Sequence, residues 1–174
     1  MWVRLASGLT RDSIVDGDGL RTVIWTQGCS HNCVGCHNKK AQSFSGGLLV
    51  RVEDIKREID KLKLQRGITF SGGEPFEQSK ECSAIAKYAK SRGYDVWAYT
   101  GYLFEDLIKD KEKYEFLKQV DILVDGPFIL EKRDLTLRFR GSSNQRVIDV
   151  IKSLEAGKVI ERTYKDACIF TGVI

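Results

Sequence analysis

Three cysteines within eight residues, Cys29, Cys33 and Cys36, constrain this chain more than any other feature. They form C-x3-C-x2-C directly after the β-branched and aromatic run Thr22 to Thr26, with Gly28 and Gly35 allowing the loop to turn tightly around a bulky ligand. Soft thiolates at such spacing suit an iron-sulfur cluster or zinc. With Cys82 and Cys168 the total is five, an odd number that does not make a secreted disulfide framework. A 4Fe-4S cubane held by three thiolates keeps one iron free of protein ligands, where a substrate can chelate, much as catalytic zinc keeps an open position. A structural zinc site would need His31 or His37 as its fourth ligand, but His37 adjoins Cys36 and no second ligand pair follows. An iron-sulfur electron carrier normally supplies four cysteines. Cys82 falls on the apolar face of a helical pattern and Cys168 near the end of the sequence, so both are expected to be packing or incidental residues.

The rest of the chain alternates strand-like and helix-like segments. Short apolar runs at Thr22 to Thr26, Gly67 to Phe70, Tyr94 to Thr100 and Asp121 to Val124 predict buried strands, whose aromatics Trp25, Phe70 and Trp97 belong to the core. Helical patterns carry Val52, Ile55, Ile59 and Leu62, then Cys82, Ile85, Ala86 and Ala89, with a third from about Leu103 to Val120. Leu135 to Phe139 and Val147 to Val150 suggest two further strands flanking the polar segment Arg140 to Arg146. Right-handed crossovers then give an α/β fold with mostly parallel strands and outer helices. Some five strands at most are too few for a closed eight-unit barrel, so an open partial barrel is expected. No linker or repeat divides the sequence, and a single domain over residues 1–174 is the expected organisation. Ligands of such sheets sit at the carboxyl ends of strands, and Cys29 to Cys36, Ser71 to Pro75, Thr100 to Tyr102 and Asp125 to Pro127 each follow one.

Composition narrows the partners. Lys and Arg number 28 against 24 Asp and Glu, and the basic residues are scattered over helical segments, which reads as solvated helix faces and not as a nucleic-acid surface. The longest apolar stretches fall far short of the ~20 residues that span a bilayer, and Met1 to Thr10 has no apolar core of a signal peptide. No membrane association and a cytoplasmic location are therefore expected.

The triad together with Ser71-Gly72-Gly73-Glu74-Pro75 resembles the radical S-adenosylmethionine superfamily. Gly28 to Asn38, Tyr99-Thr100-Gly101-Tyr102, Val124-Asp125-Gly126 and Arg140-Gly141-Ser142-Ser143-Asn144-Gln145 are further similar to the family that activates anaerobic ribonucleotide reductase, over about Asp16 to Val150. The resemblance implies a 4Fe-4S cluster on Cys29, Cys33 and Cys36, with S-adenosylmethionine chelating the open iron. The cofactor is cleaved to methionine and a 5'-deoxyadenosyl radical. It implies abstraction of hydrogen from a glycine of the large reductase subunit, with a low-potential donor such as flavodoxin or ferredoxin. Activation of another glycyl-radical enzyme, such as pyruvate formate-lyase, is the nearest alternative.

On the same resemblance the radical chemistry belongs to cluster and cofactor, and His37, Asn38, Ser71, Gly72, Gly73, Glu74, Thr100 and Asp125 are expected around S-adenosylmethionine. Glu74 is expected either to receive the methionine ammonium or to cap the following helix. Thr100 and Asp125 bond the cofactor or cap a turn. A Cβ at Gly73 is expected to crowd the methionine end of the cofactor while leaving the cluster assembled. Gly35 stands where many superfamily members carry an aromatic residue, leaving His37 or a partner to cover the adenine. Asp18 stands where related activases have proline, which bears on the rigidity of that loop, and Arg21 faces an anionic group near the cluster or is solvated. The side-chain roles of Arg140, Ser142, Ser143, Asn144 and Gln145 are beyond the sequence.

Overall fold

A computed structural model describes residues 1–164, so Cys168 lies outside the described residues. Eight strands among those residues share one mixed sheet: β1 (Trp2–Leu5), β2 (Thr10–Ser13), β3 (Arg21–Thr26), β4 (Leu48–Arg51), β5 (Gly67–Gly72), β6 (Asp95–Tyr99), β7 (Ile122–Asp125) and β8 (Arg146–Asp149). Their order is β4-β1-β3-β5-β6-β7-β8, with β2 paired to β3 off that path. The order ends on β4 and β8, so the sheet is open. Its centre, β3-β5-β6-β7, is parallel, and both margins are antiparallel. Two crossovers carry α1 (Val52–Asp60) and α2 (Ser79–Ser91), and a third carries α3 (Phe104–Leu107) and α4 (Lys111–Leu117); α5 (Val150–Ala156) follows β8.

Alternate strand residues divide the core, because a strand presents successive side chains to opposite faces. Ile24, Ile68, Phe70, Val96, Ala98 and Leu123 pack in one cluster with Ile55 and Ile59 of α1, Cys82, Ile85 and Ala89 of α2, and Phe116 of α4. Each fully buried large apolar side chain there contributes roughly 1.5–3 kcal/mol. The opposite face gathers Trp97, Ile122, Val124 and Val147 with Phe139. Cys82 is fully buried in the first cluster, so it is a packing residue.

Five expectations change, the first being that Trp25 belongs to the core: it is only half-buried, joins neither cluster and donates from Nε1 to Thr10 Oγ1 at 2.8 Å. The amino-terminal margin β1, β2 and β4 adds strands beyond the apolar runs of the sequence, since these three are four residues each, β2 and β4 are largely exposed and β1 buries only Val3 and Leu5. The third helix is two, because the Asp110 carboxylate accepts from the Glu112 and Lys113 amides and starts a new helix inside the apolar pattern. Leu135 to Phe139 is not a strand: Asp134 accepts from the amide and hydroxyl of Thr136, closing a turn, and Phe139 has φ +63°. Leu62 is buried just beyond the end of α1 and not within it.

Arg21 is neither solvated nor near the cysteines. It opens β3, at the opposite end of the strand from Cys29, and is fully buried. Its Nε donates to Thr69 Oγ1 at 2.7 Å, Nη1 to the Asp18 carbonyl at 3.0 Å and Nη2 to the Ile68 carbonyl at 2.7 Å. Nη2 also pairs with Asp95 at 2.5 Å, and the guanidinium lies 5.3 Å from the Trp97 ring centroid. Asp18 itself pairs with Arg66 at 2.7 Å, so side chains hold the Asp16–Gly19 loop where proline does not. Asp95→Ala removes the partner of a buried cation, for which costs of about 3–5 kcal/mol are typical. Four remaining acceptors, Thr69 Oγ1 and the carbonyls of Asp18, Ile68 and residue 95, reduce this to an expected loss of about 2–3 kcal/mol. Urea denaturation should show it as a lower midpoint at unchanged slope; a loss below about 0.5 kcal/mol would mean that the pair does not hold this end of the sheet.

Candidate active site

The parallel register sets β3, β5 and β6 side by side, Thr26 against Gly72 and Phe70 against Ala98, so their carboxyl ends open at one edge. The cysteine loop leaves β3 there. Gly28 and Gly35 have φ +99° and +74°, and Asn32 φ +49°, backbone conformations that carry the loop round and back. The loop returns onto its own base: the Gly28 amide donates to the Ala41 carbonyl at 2.7 Å and the Cys29 amide to Gln42 at 3.0 Å. Gln27, nearly fully buried, donates from Nε2 to the carbonyls of Lys40 and Ser43 and staples this return.

A cavity of about 210 Å³ forms between these elements, lined by Cys29, His31, Cys33, Cys36, His37, Asn38, Ser71, Gly72, Gly73, Glu74, Tyr99, Thr100 and Gly101, with Gly126, Phe128, Gly141 and Gln145 as its far wall. A second cavity, about 510 Å³, shares Cys36, His37, Asn38 and Gly72 with it and extends past Trp25 and Lys39. The three thiols are free and partly exposed. Among the described residues no three His, Cys, Asp or Glu side chains converge as they would around a single metal ion. Three soft thiolate donors on one cavity suit an iron-sulfur cluster, whose cubane takes each at a separate corner. The Asn38 amide points at Cys36 Sγ at 3.4 Å, the kind of contact that tunes a thiolate ligand. Burial, with Glu74 and the other two thiols nearby, pushes the Cys29 thiol up, so metal binding there must displace a proton.

Glu74 lies at the centre of the site and has no exposure. Oε1 accepts from the Phe76 amide at 3.0 Å and from Thr100 Oγ1 at 2.9 Å. Oε2 accepts from the Gly101 amide at 2.8 Å and lies 2.9 Å from His31 Nε2. Of the two expected roles, the cap onto the following Pro75–Gln78 turn is therefore present. The bond to Glu74 raises the His31 pKa above its ordinary value, against its burial. A parallel connection runs through Glu77, whose Oε1 accepts from Ser30 Oγ and Tyr102 OH, both at 2.6 Å. Burial pushes the Glu77 carboxyl up, yet these two bonds together with the nearby Lys113 and His31 outweigh it and hold the carboxyl below its usual range.

Of the expected cofactor residues, the structure brings seven to the cavity: His37, Asn38, Ser71, Gly72, Gly73, Glu74 and Thr100. His37 is exposed, its ring 5.3 Å from that of Phe128, and Asn38 Nδ2 donates weakly to the Gly72 carbonyl at 3.4 Å. Asp125 is not among the lining residues. It is fully buried, accepts from the Phe104 amide at 2.8 Å and takes Arg146 through Nε at 2.9 Å and Nη2 at 2.5 Å. In place of the absent aromatic at Gly35, Leu130 covers the loop, and a Cβ there would come within 2.9 Å of it. Within the polar segment, Gln145 fastens the far wall, since its Oε1 accepts from the Gly141 and Ser142 amides while Nε2 donates to the Gly126 carbonyl. Ser142 is buried, its Oγ accepting from the Ile129 amide, and Asn144 Nδ2 donates to the Pro127 carbonyl. Arg140 reaches the Gln145 carbonyl, and Ser143 is exposed. Gln27 and Glu77 carry no sign of the site in the sequence; Ser30 and Tyr102 fall within the motifs Cys29 to Cys36 and Thr100 to Tyr102 without a role of their own, and His31 suggests there a zinc ligand, since the partners of all five come from other segments.

Three relatives and one family model frame the site. Residues 15–148 match the 4Fe-4S single cluster domain. The anaerobic ribonucleoside-triphosphate reductase-activating protein of Haemophilus influenzae is 34% identical over 140 residues, covering 76% of this chain and 89% of that protein. The protein of the same name from Enterobacteria phage T4 is 35% identical over 140 residues, 76% and 86% of the two chains. That from Escherichia coli K12 is 32% identical over 142 residues, 77% and 91%. The solved structure of QueE from Escherichia coli superposes with a TM-score of 0.49 at 15% identity, over 57% of this chain and 53% of that one, too remote a likeness to bear on function.

Gly73 tests how the site is assembled. A Cβ there would meet the carbonyls of Gly28 and Ala41 at 2.5 and 2.7 Å, not open cavity. The expectation that a side chain at this position crowds the cofactor and spares the cluster is thereby corrected: it meets the base of the cysteine loop first. Gly73→Ala should cost about 1–3 kcal/mol of stability, as overpacking does, and lower the iron and sulfide taken up on anaerobic reconstitution. Full uptake at wild-type stability would contradict this packing.

Proposed function

The chain belongs to the family of anaerobic ribonucleoside-triphosphate reductase-activating proteins, and from that membership we propose that it activates such a reductase by radical S-adenosylmethionine chemistry. The observation that carries the proposal is the shared cavity, which brings three thiols of the described residues to the Gly72–Glu74 turn. When bound, the cluster and S-adenosylmethionine supply the 5'-deoxyadenosyl radical that removes a hydrogen atom from a glycine of the reductase.

What this chain contributes is placement. Cys29, Cys33 and Cys36 hold the cluster and leave one iron to the cofactor. Ser71, Gly72 and Gly73 offer a close backbone edge, with His37, Asn38 and Thr100 around it. Glu74 has all four of its bonds committed within the protein, so its contribution is to set the turn. Asp125 acts from behind the wall, through the Phe104 amide and Arg146. The open margin of the sheet lets a polypeptide segment of the reductase large subunit enter, so that the reactive carbon is held against the glycine. A low-potential donor, flavodoxin or ferredoxin, delivers the electron, and a cytoplasmic setting keeps the thiols reduced. Among the described residues no helix is long and apolar enough to cross a membrane.

Incubated without oxygen with the reductase subunit, S-adenosylmethionine and a low-potential reductant, wild-type protein should generate a glycine-centred electron paramagnetic resonance signal on the partner. Cys33→Ala, with two thiolates left, should neither retain a stable cluster nor produce the signal. A full signal from Cys33→Ala with full iron content would overturn the ligand assignment. A wild-type signal on pyruvate formate-lyase and none on the reductase would move the activity to the other glycyl-radical enzyme.

A further inference from the structure

We propose that His31 is a positioning residue whose hydrogen bond to Glu74 fixes the cysteine loop against the Gly72–Glu74 turn, and so sets how S-adenosylmethionine meets the open corner of the cluster. The inference rests on the functional reading above and adds to it a residue that is neither thiol nor cofactor contact.

Three surfaces grip the His31 ring. Nε2 lies 2.9 Å from Glu74 Oε2, the oxygen that also accepts from the Gly101 amide at 2.8 Å. The Tyr102 ring meets it edge-on at 4.5 Å between centroids, at 70°. Gly101 closes the third side, and a Cβ there would come within 2.5 Å of the ring, so the missing side chain at position 101 is what admits the imidazole.

The position in the loop gives this grip its consequence. Only Ser30, His31 and Asn32 separate the first two cysteines. Ser30 is tied to Glu77 at 2.6 Å and His31 to Glu74, two carboxylates three residues apart on the same turn, while Asn32 reverses the chain with φ +49°. Both carboxylates are in turn tied to the end of β6, Glu74 by Thr100 and Gly101 and Glu77 by Tyr102. The stretch between Cys29 and Cys33 is therefore referenced to the same two strand ends as the Gly72–Glu74 edge, and the chain makes these contacts with its own groups alone.

Wild type, His31→Ala and His31→Gln should be compared after anaerobic reconstitution. Iron and sulfide per chain are measured first, then S-adenosylmethionine affinity by equilibrium dialysis and the change that the cofactor causes in the reduced-cluster resonance spectrum. All three should carry the same iron. His31→Ala should bind S-adenosylmethionine about 5–10-fold more weakly, as the loss of roughly one net hydrogen bond allows, with the spectral change diminished. His31→Gln, which keeps an N–H donor within reach of Glu74, should recover most of both. In metal-free protein, amide hydrogen exchange over residues 29–36 should quicken in His31→Ala and return toward wild type in His31→Gln. Wild-type affinity and spectrum in His31→Ala, or a glutamine variant no better than alanine, would overturn the proposal; so would iron loss in both variants, which would make His31 a cluster ligand. If only His31→Ala fails to load, the metal-free exchange decides: quickening reversed by glutamine supports the proposal, and unchanged exchange overturns it. Failure of wild type itself to hold a cluster or bind S-adenosylmethionine would overturn the functional reading, while the metal-free exchange would still judge the His31 anchor.

Discussion

A carboxylate removed from water needs a donor for each lone pair it exposes, and an unmet one is costly. Glu74 meets this demand with His31, Phe76, Thr100 and Gly101, which belong to the cysteine loop, its own turn and the end of β6. One buried side chain thus fixes three segments relative to one another. Glu77, three residues on, repeats the connection with Ser30 and Tyr102. The thiols need this support because the loop that bears them is irregular, with three left-handed backbone positions and the single internal backbone bond from Cys36 to Cys33 among those described.

The parallel centre of the sheet is what makes such convergence possible. Crossovers through α1, α2 and α4 return each strand in the same direction, so that the motifs after β3, β5, β6 and β7 emerge at one edge. The opposite edge is closed by the buried Arg21, its pair with Asp95 and the Asp16–Gly19 loop. Chemistry and structural electrostatics are therefore separated by the length of the strands.

Much of this was legible because it rests on local pattern. The cysteine spacing, the Gly-Gly-Glu turn and the apolar runs of β3, β5, β6 and β7 each lie within a few residues, and each falls where alternation of strand and helix predicts. What the sequence withheld depends on register. His31 meets Glu74 across 43 positions, and Tyr102 meets Glu77 across 25, only because β3, β5 and β6 stand in a particular alignment. Arg21 could not be placed for the same reason, since Asp95 and Trp97 reach it from another strand. The split of the third helix had a local sign in Asp110, but an apolar period that continues through a cap conceals it. Leu135 to Phe139 has the composition of a strand, and the Asp134 turn removes it from the sheet.

The source of the hydrogen atom decides between an activase and an ordinary radical enzyme. The reductase subunit can be prepared with deuterated glycine and incubated without oxygen with this protein, reductant and unlabelled S-adenosylmethionine, and the small-molecule products analysed by mass spectrometry. One deuterium in 5'-deoxyadenosine, together with a glycine-centred radical on the partner, is the result expected of a site built to receive a polypeptide. Unlabelled 5'-deoxyadenosine, formed equally fast with and without the reductase, would contradict it.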